Sequence, residues 1–588
     1  MPRRLLARYV QRYASWYLTG FGCLGLASLF ALAIPWVVKS AIEMLQAGGG
    51  TRDLWWYVAA ILVLAASHGL VRLGSRFAVL GAGQRIEYDL RNDLYAHLQQ
   101  LSPAFYQVYR TGDLVSRSSN DLSQVKLLVG FGALSLIGTT LIFVGTLAAM
   151  VAIDPWLALY ATAPYPLVIL LAKRFSSRLH VRSQAVQDQL GRLSAKVQEN
   201  LTGGSIVRAY AMESREEAGF DRLNREYLAR SLALARIQAG FAPLIGLIAG
   251  MGTLIILWLG GKAVVDGRIS LGAFVAFNGY LALLAWPTIA LGWTLSIMRR
   301  ALSALERIAE ILAVEPEIED PGLEAGLTFP TLAAGGLSVE FRALTFAYPG
   351  RGPALREVAL TVPAGSTVAI VGPTGSGKST LGLLIPRLYD PPTGTLFVDG
   401  RDVRSLPLNA LRQAVGYVAQ EPFLFSRSVR QNLALARDRL SDAEIRRAEA
   451  VVGLAEEVEA FPDGWDTVVG ERGLTLSGGQ RQRAALARAL LRDPRILILD
   501  DPFASVDSAK EVEILSALRE AGSGRTVLIM THRLRAAQQA DWVVVLDEGR
   551  IVGQGTHADL LGRGGLYARF WRVQQLEEEL EVGGHEPA

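Results

Sequence analysis

A stretch rich in glycine, with one lysine and one serine, has the spacing of a phosphate-binding loop. It runs through Gly372, Pro373, Thr374, Gly375, Ser376, Gly377, Lys378, Ser379 and Thr380. A β-branched run at 367–371 precedes it and an apolar run at 381–385 follows, which predicts a strand, a loop and a helix in that order. Such a loop turns backbone N–H groups towards an anion at the positive end of a helix dipole. The pattern predicts a nucleoside triphosphate site, with Lys378 at the β- and γ-phosphates and the Ser379 hydroxyl on Mg²⁺.

Two adjacent carboxylates end a second apolar run, at 496–499. Such a run is typical of a parallel strand that is buried on both faces, and ligands bind at the carboxyl ends of parallel strands. We therefore expect Asp500 to contact the metal or its water shell, and Asp501 to contact the attacking water. His532 follows the predicted strand at 526–530 and is expected at the γ-phosphate. Gln420 follows 415–419 and is expected to bring its amide to the metal and the water.

An aromatic residue and a second glycine turn complete the candidate chemistry of this half. Tyr348 ends the predicted strand at 341–348, where it could stack on adenine or simply pack in the strand. The second turn opens a run of good helix formers at 481–491, so it offers N–H groups and a helix dipole to another phosphate. One nucleotide seldom needs two anion sites from one domain, so this second site is free to face a nucleotide held by another chain. The turn consists of Leu476, Ser477, Gly478, Gly479 and Gln480.

The composition predicts a membrane protein with at least two domains. Of 588 residues, 51% are apolar and 19% charged, and the mean hydropathy is +0.27. Six apolar stretches are each near the length that a spanning helix requires: 17–38, 54–75, 128–153, 155–172, 239–260 and 271–297. The net charge of +4 is small for this length. We attribute it to basic cytoplasmic loops rather than to a surface that binds nucleic acid. The single cysteine, Cys23, excludes a disulfide framework and a cysteine metal site.

Arginine and lysine are concentrated at the N-terminus and in two long connections, 76–126 and 173–236. The positive-inside rule places these connections and both termini in the cytoplasm, as expected for a multi-pass protein of the cell's inner membrane. The apolar residues at 90–101 and 190–201 have helical spacing, so we expect the spanning helices to continue beyond the bilayer. Helix breakers with aromatics at 105–114 and 202–210 predict two elbows on which a cytoplasmic domain docks, a solvated loop being the alternative.

Three ionisable residues of the second span share one helix face. His68, Arg72 and Arg76 are spaced at i, i+4 and i+8. Charge inside a span indicates function by default, and a substrate cavity with these residues would favour acidic or carboxylate-bearing cargo. Snorkelling to the cytoplasmic boundary is the alternative for both arginines.

The sequence divides into a transmembrane domain at 1–312 and a soluble α/β domain at 337–580. Between them, 313–336 is rich in proline, glutamate and glycine, as linkers are. A polar tail at 581–588 ends the chain.

The soluble half carries a combination of motifs that resembles an ATP-binding-cassette (ABC) domain. The combination includes the phosphate loop (Walker A), Gln420, the Leu-Ser-Gly-Gly-Gln signature and the two acids. It also includes 469–473, the turn at 505–507, and His532. Behind six spans, this domain resembles a type IV (B-family) ABC exporter half-transporter over nearly the whole chain. The resemblance implies a dimer with twelve spans, two ATP sites at the cassette interface, swapped helices whose elbows are the two turns above, and alternating access.

The chain departs from that family at its catalytic base. The family usually has glutamate after the Mg²⁺ aspartate, and this chain has Asp501. Loss of one methylene withdraws the carboxylate by roughly 1.5 Å, and such a misplacement can cost on the order of 100-fold in rate. This departure resembles the heterodimeric exporters with one degenerate site, a group that includes the antigen-peptide transporter. It predicts a slow site in this chain and an intact signature for a glutamate-bearing partner; a homodimer in which Asp501 suffices is the alternative.

Three functional hypotheses follow from the sequence. The first is a heterodimeric ATP-driven exporter subunit for amphipathic drugs, peptides or lipids. The others are a homodimeric lipid flippase, and a regulatory or channel protein that ATP binding gates. All three expect ATP, Mg²⁺, a lipid bilayer and a second half-transporter, and none expects a nucleic acid.

Overall fold

The computed structural model describes residues 2–322, 335–437, 440–504, 506, 508–521 and 524–583. In it the chain forms two compact units. The helical unit consists of Met1–Gln99 and Thr111–Val314, and the α/β unit of Gln100–Arg110 and Glu315–Ala588, each as far as it is described. The predicted domain 1–312 therefore contains a short segment that the structure groups with the α/β unit.

Long helices make up the helical unit, and several follow the apolar stretches of the sequence. Three of the described helices, Ala14–Gln46, Thr51–Gln100 and Thr111–Ile153, are long and apolar enough to cross a membrane, and Gly250–Val265 and Leu271–Leu284 are shorter apolar helical stretches. The helices are α1 Pro2–Arg12, α2 Ala14–Gln46, α3 Thr51–Gln100, α5 Thr111–Ile153, α6 Pro155–Thr162, α7 Tyr165–Thr202, α8 Gly204–Ala209, α9 Glu213–Ile255, α10 Gly261–Val265 and α11 Leu271–Leu312.

The connections between these helices explain two details of the sequence. Asp154 separates α5 from α6 and caps the latter, since its Oδ1 accepts a hydrogen bond from the Leu157 N–H at 2.9 Å. The predicted fourth span, 155–172, is interrupted at Ala163–Pro164, where α6 ends and α7 begins. Prolines at 164 and 166 lack the N–H groups that a continuous helix would need there.

Helices α3 and α7 continue past the predicted spans, to Gln100 and Thr202, as the helical spacing at 90–101 and 190–201 predicts. Each predicted elbow contains a short helix, α4 Pro103–Val108 and α8 Gly204–Ala209. Helix α4 belongs to the α/β unit, and Ala104 packs into that unit's core.

Two sheets organise the α/β unit. The larger has the order β10-β9-β3-β8-β7-β6, in which every neighbouring pair is parallel except β9 with β10; the smaller is antiparallel, in the order β2-β1-β4-β5. The strands are β1 Val339–Ala347, β2 Pro353–Val362, β3 Thr367–Val371, β4 Leu396–Val398, β5 Arg401–Asp402, β6 Val415–Val418, β7 Ile496–Asp500, β8 Thr526–Thr531, β9 Trp542–Asp547 and β10 Arg550–Gly555.

Helices cover the parallel sheet, as expected for strands that are apolar on both faces. Strand β7 is buried at every position, and β3 at all but its first. The helices of this unit are α4 given above, α12 Lys378–Leu384, α13 Leu408–Ala414, α14 Val429–Leu433, α15 Asp442–Val452, α16 Ala455–Glu459, α17 Gly478–Leu491, α18 Ser508–Ala521, α19 Leu534–Gln538, α20 His557–Gly562 and α21 Gly565–Gly583. Of the turn at 505–507, Ser505 and Asp507 lie outside the described residues, as do 323–334 of the linker and 584–588 of the tail.

Candidate functional site

The phosphate loop joins β3 to α12 and has the conformation that its glycines allow. Gly377, which precedes α12, has φ 103°, in the region that favours glycine. A Cβ at this position would lie 2.7 Å from the Ala354 carbonyl oxygen, so a larger residue would displace backbone. The glycine therefore lets the loop close around a small anion at the start of α12.

Lys378 lies across this loop and is held by the loop's own backbone. Its Nζ donates to the Gly372 and Pro373 carbonyl oxygens at 2.8 and 2.9 Å. Burial lowers the pKa of Lys378, and the carboxylates of Asp500 and Asp501 oppose that shift. The ammonium is thus desolvated and oriented before any ligand arrives, which suits it to contact phosphate oxygens.

Ser379 and Asp500 meet where the prediction places the metal. The Ser379 Oγ donates to Asp500 Oδ1 at 2.9 Å, and the Tyr417 hydroxyl donates to Asp500 Oδ2 at 3.3 Å. Burial raises the pKa of Asp500, while these two hydrogen bonds and Lys378 lower it. A carboxylate with a serine hydroxyl beside it is the oxygen donor set that Mg²⁺ takes in phosphate-loop sites.

Asp501 is buried and is contacted at both carboxylate oxygens. His532 Nδ1 lies 3.0 Å from Asp501 Oδ2, and the Thr531 Oγ1 donates to Asp501 Oδ1 at 3.4 Å. Its backbone N–H donates to the Met530 carbonyl oxygen at 2.7 Å, and its φ of 47° is left-handed. Strands β7 and β8 are parallel neighbours, so their carboxyl ends bring Asp501 and His532 together. The carboxylate is therefore fixed against the end of β8.

Tyr348 lies just after β1, close to the phosphate loop and to a second tyrosine. Its hydroxyl is 3.1 Å from Thr380 Oγ1, and its ring meets that of Tyr389 nearly at right angles, 5.1 Å apart. The Tyr389 hydroxyl accepts a hydrogen bond from Gln107 Nε2 of α4 at 2.9 Å. One chain of contacts thus joins the first elbow to the predicted adenine platform.

Gln420 and the second glycine turn take no part in this cluster. Gln420 is exposed after β6 and makes no hydrogen bond within the described residues. Ser477 caps α17: its Oγ accepts from the Gln480 N–H at 3.2 Å, while Gln480 Oε1 accepts from the Ser477 N–H at 2.8 Å. Leu476 is buried, whereas Gly478 and Gly479 in the first turn of α17 are half-buried. The turn is therefore a preformed helix start.

The residues of the loop fit a magnesium–nucleotide complex. The Ser376 side chain is 2% exposed, and its Oγ has no hydrogen-bond partner among the described residues. A buried hydroxyl without a partner in a glycine loop is suited to a phosphate oxygen. Together with Lys378, Ser379 and Asp500, it offers donors to phosphate and acceptors to a hard cation.

His68, Arg72 and Arg76 line one cavity of the helical unit, with a volume of about 580 Å³. The cavity lies between α2, α3, α5 and α11. The His68 Nδ1 is 2.8 Å from the Ala27 carbonyl oxygen across the cavity. The three ionisable residues of the second span therefore line the same cavity.

Three residues of this description escaped the sequence analysis: Tyr417, Thr531 and Tyr389. The first two lie on strands that flank β7, directly beside the acids. A hydroxyl-bearing residue at the carboxyl end of a buried strand was the available signal for both. Nothing in the sequence near Tyr389 pointed to Gln107, 282 residues away.

Two family models match the chain, one in its apolar N-terminal half and one in its soluble α/β half. Residues 17–288 match the ABC transporter transmembrane region, and residues 355–504 match the ABC transporter domain that carries the phosphate loop. The fold is similar to the structure of a bacterial Atm1-family ABC exporter with ATP bound. The TM-score is 0.74 at 29% identity, over 96% of this chain and 98% of the other.

Three curated relatives match over nearly their full lengths. A probable multidrug resistance ABC transporter ATP-binding/permease protein of Bacillus subtilis, YheI, is 35% identical over 93% of each chain. The multidrug resistance-like ATP-binding protein MdlA of Escherichia coli is 34% identical, over 98% of this chain and 97% of its own. An ATP-dependent lipid A-core flippase of Syntrophus aciditrophicus is 33% identical, over 99% and 96%. The predicted fold class is confirmed: a transmembrane domain is fused to an α/β nucleotide-binding domain in the type IV exporter fold. The chain belongs to the ABC transporter family, as an exporter half-transporter whose ATPase activity is coupled to transport.

Proposed function

We propose that this chain is one subunit of a heterodimeric exporter that moves amphipathic drugs, peptides or lipids out of the cytoplasm by alternating access. In this proposal its own ATP site is the degenerate one, and its signature turn completes the active site of the partner. The arrangement is that of the TmrB subunit in the bacterial TmrAB pair. The cassette and both termini would lie on the cytoplasmic side of the inner membrane, as the distribution of basic residues predicts.

The observation that carries the proposal is the position of Asp501. His532 and Thr531 engage its two oxygens, and its backbone is tied to Met530. A short side chain held in this way has little freedom to move outward towards an attacking water. Glutamate has one more methylene, so its carboxylate would extend roughly 1.5 Å further. Because general-base catalysis requires the carboxylate within hydrogen-bond reach of the proton it takes, we expect slow hydrolysis here.

Binding of the nucleotide does not depend on that base. When bound, the magnesium ion would neutralise charge on the β- and γ-phosphates. Lys378 would donate to the phosphate oxygens, Ser379 and Asp500 would hold the metal, and Tyr348 would stack on adenine. Gln420, exposed after β6, would turn its amide to the metal, and His532 would contact the γ-phosphate. These roles are the ones expected from the sequence.

Exposed surfaces support a partner subunit. The second elbow, α8, leaves Ile206 60% exposed and Tyr210, which follows it, 75% exposed. Apolar side chains in a cytoplasmic loop would be covered by the cassette of a second subunit. The signature turn at Ser477 is likewise preformed, since Ser477 and Gln480 cap the start of α17.

A homodimeric lipid flippase is the second candidate, because a curated relative is named a lipid A-core flippase. In that case Asp501 would be a competent base, and two copies of this chain would form both sites. An ATP-gated channel or regulatory protein, the third hypothesis of the sequence, would bind ATP without turnover linked to transport.

Steady-state ATPase of the purified chain, measured beside Asp501→Glu, tests the proposal. A nearly silent native chain whose turnover rises with glutamate on the order of 100-fold supports the degenerate site. Brisk hydrolysis by the native chain alone would contradict it and favour the homodimer. Substrate accumulation in vesicles without ATP hydrolysis coupled to it would favour the ATP-gated channel or regulatory protein. Asp547→Glu, which lengthens a carboxylate at the end of β9, is the matched control.

A further inference from the structure

We propose that the cavity between α2, α3, α5 and α11 binds the anionic head group of an amphiphile, a phosphate or carboxylate on an apolar chain. This inference rests on the proposed exporter function and names the charge of its cargo. Two arginines and one histidine on the same face of α3 line the cavity. Among the described residues that line it there is no carboxylate.

The positive charge of this cavity is not neutralised within the described part of the chain. Neither Arg72 nor Arg76 forms an ion pair or hydrogen bond with another described residue. Both are exposed, while Ser75 between them is wholly buried. By contrast, Arg117 and Arg307 of the same unit each contact a carboxylate, at 2.8 and 2.5 Å. Arginines within or beside a span are costly unless a partner compensates them, so an anion from outside the chain is the missing partner.

The Ser75 hydroxyl supplies a second, independent indication of a polar ligand. Ser75 lines the same cavity at 0% exposure, and its Oγ has no hydrogen-bond partner among the described residues. Serines in helices commonly bond to the carbonyl four residues back, as Ser28 does to Leu24 at 2.8 Å. Ser75 does not. Its hydroxyl is a buried donor that lines the same cavity as the two arginines, where an oxyanion would satisfy it.

The other residues that line the cavity determine where the apolar part of the ligand would lie. Leu24, Ala31 and Ile142 form an apolar wall, and Trp286 and Trp293 add aromatic faces. Arg72 lies 18 residues beyond Leu54, the start of the predicted second span, and thus about 27 Å along the helix. In the proposed orientation this is near the cytoplasmic edge of a hydrocarbon core about 30 Å thick. The head group would therefore lie at the level of the inner leaflet's head groups, with its chain in the apolar part of the cavity.

Snorkelling, the alternative interpretation of both arginines, does not account for their position in a cavity between helices. A snorkelling arginine extends its guanidinium into the head-group layer along the lipid-facing side of its helix. Arg72 and Arg76 instead share a cavity with residues of three other helices, and His68 reaches the Ala27 carbonyl across it. The volume of about 580 Å³ lies within the usual range for sites that take small organic ligands.

Binding of two probes that share one chain length tests the charge preference. The assembled transporter, in nanodiscs of phosphatidylcholine, is titrated with dodecyl phosphate and with dodecyltrimethylammonium. We expect the double variant Arg72→Gln/Arg76→Gln to weaken dodecyl phosphate by at least about tenfold, as loss of charge-assisted hydrogen bonds does, and to change the cationic probe by less than about twofold. The Arg72→Lys/Arg76→Lys variant should recover part of the affinity, which shows that the helix is intact. Arg52→Gln, at the other end of α3, is the matched control and should change neither probe.

An equal loss for both probes, or no loss for dodecyl phosphate, would overturn the inference. ATP-driven transport by the unmodified protein is measured in parallel. If that transport is absent, the proposed function is contradicted. The binding measurement tests the anion site independently of transport. Nanodiscs of phosphatidylglycerol distinguish the source of the anion: competition with dodecyl phosphate assigns the cavity to an anionic lipid, and unchanged affinity assigns it to a soluble amphiphile.

Discussion

Lys378 lies in the phosphate loop, and its charge interacts with the two acids at the end of β7. Its ammonium contacts two loop carbonyls, and burial lowers its pKa. A cation with few water contacts loses little hydration when it turns to a phosphate, so its removal affects binding more than folding.

Lys378→Ala should weaken ATP binding at this chain's own site by at least about tenfold, because a charge-assisted contact to phosphate is lost. Equilibrium binding of a fluorescent ATP analogue to the full chain measures the effect. Lys510→Ala, a lysine of α18 paired with Glu513 at 2.9 Å, is the control. Unchanged affinity in the Lys378 variant would contradict the assignment of the phosphate loop.

A buried carboxyl on α15 makes stability depend on pH. Glu449 is 2% exposed, and its Oε1 has no hydrogen-bond partner among the described residues. Burial raises the pKa of Glu449 to about 7; the charge of Glu459 adds to the shift and that of Arg446 opposes it. The folded state therefore favours the protonated form. The stability that this carboxyl contributes is complete below its unfolded pKa, near 4.5, and is lost as the pH rises through 7.

Glu449→Gln should consequently raise the thermal unfolding midpoint at pH 8, since the amide keeps the shape without the charge. The gain has an upper limit of about 3 kcal/mol and should vanish towards pH 4.5. Thermal melts of the full chain between pH 4.5 and pH 8 measure it. Glu456→Gln, an exposed glutamate of α16, should show no such trend; a pH-independent difference in the Glu449 variant would contradict the explanation.

At the scale of elements, the short helix α4 is joined to the nucleotide platform by side chains rather than by strand pairing. Phe105 is buried in this segment and stacks on Tyr109 with the ring centroids 4.5 Å apart. Gln107 donates to the Tyr389 hydroxyl, and the Tyr389 ring abuts Tyr348. A shift of Tyr348 on adenine binding would be transmitted by packing to Tyr389 and so to α4.

Tyr389→Phe keeps the ring and removes the hydroxyl that accepts from Gln107. We expect substrate transported per ATP hydrolysed to fall about fivefold, the effect of one net hydrogen bond, with ATP affinity changed by less than about twofold. Vesicle transport and ATPase of the assembled transporter give the ratio.

Gln107→Leu and the double variant complete a cycle for the same contact. The double variant should be no worse than either single one, because both remove one interaction. Additive losses would show that the two residues act independently.

Among the described residues, the phosphate loop and the acids of β7 form one cluster, and the preformed helix start at Ser477 takes no part in it. Asp501 and Ser477 belong to different ATP sites of the assembled dimer in the proposed function. Their substitutions should therefore differ in severity, which a single-site enzyme would not predict.

Ser477→Arg should abolish turnover at the partner's site more severely than Asp501→Ala does, because an arginine would obstruct the helix start that a phosphate must approach. ATPase of the heterodimer measures both variants. Val552→Arg, on the exposed part of β10, is the control for an added arginine. If Asp501→Ala proved the more damaging, the proposal that this chain holds the degenerate site would be contradicted.

The sequence by itself determined the local elements and their chemistry. Periodicity and glycine spacing predicted β3, the phosphate loop and α12, because a glycine loop between strand and helix follows from backbone sterics alone. Apolar runs predicted the three described helices that are long and apolar enough to cross a membrane, since crossing the hydrocarbon core requires a minimum length of apolar helix. The connection between α5 and α6 is equally local, since Asp154 caps α6 directly before Pro155.

Only the tertiary structure decided which distant residues meet. The order of strands in the parallel sheet brings Tyr417 and Thr531 to the acids of β7, and strand order depends on how helices pack on both faces rather than on any one strand. The α/β unit includes α4, where Gln107 donates to the hydroxyl of a residue 282 positions away and Ala104 packs into the core. For His68, Arg72 and Arg76 the spacing predicted a shared helix face. Whether that face met lipid or a cavity was decided by the packing of three other helices, because a helix's neighbours are not encoded in its own period.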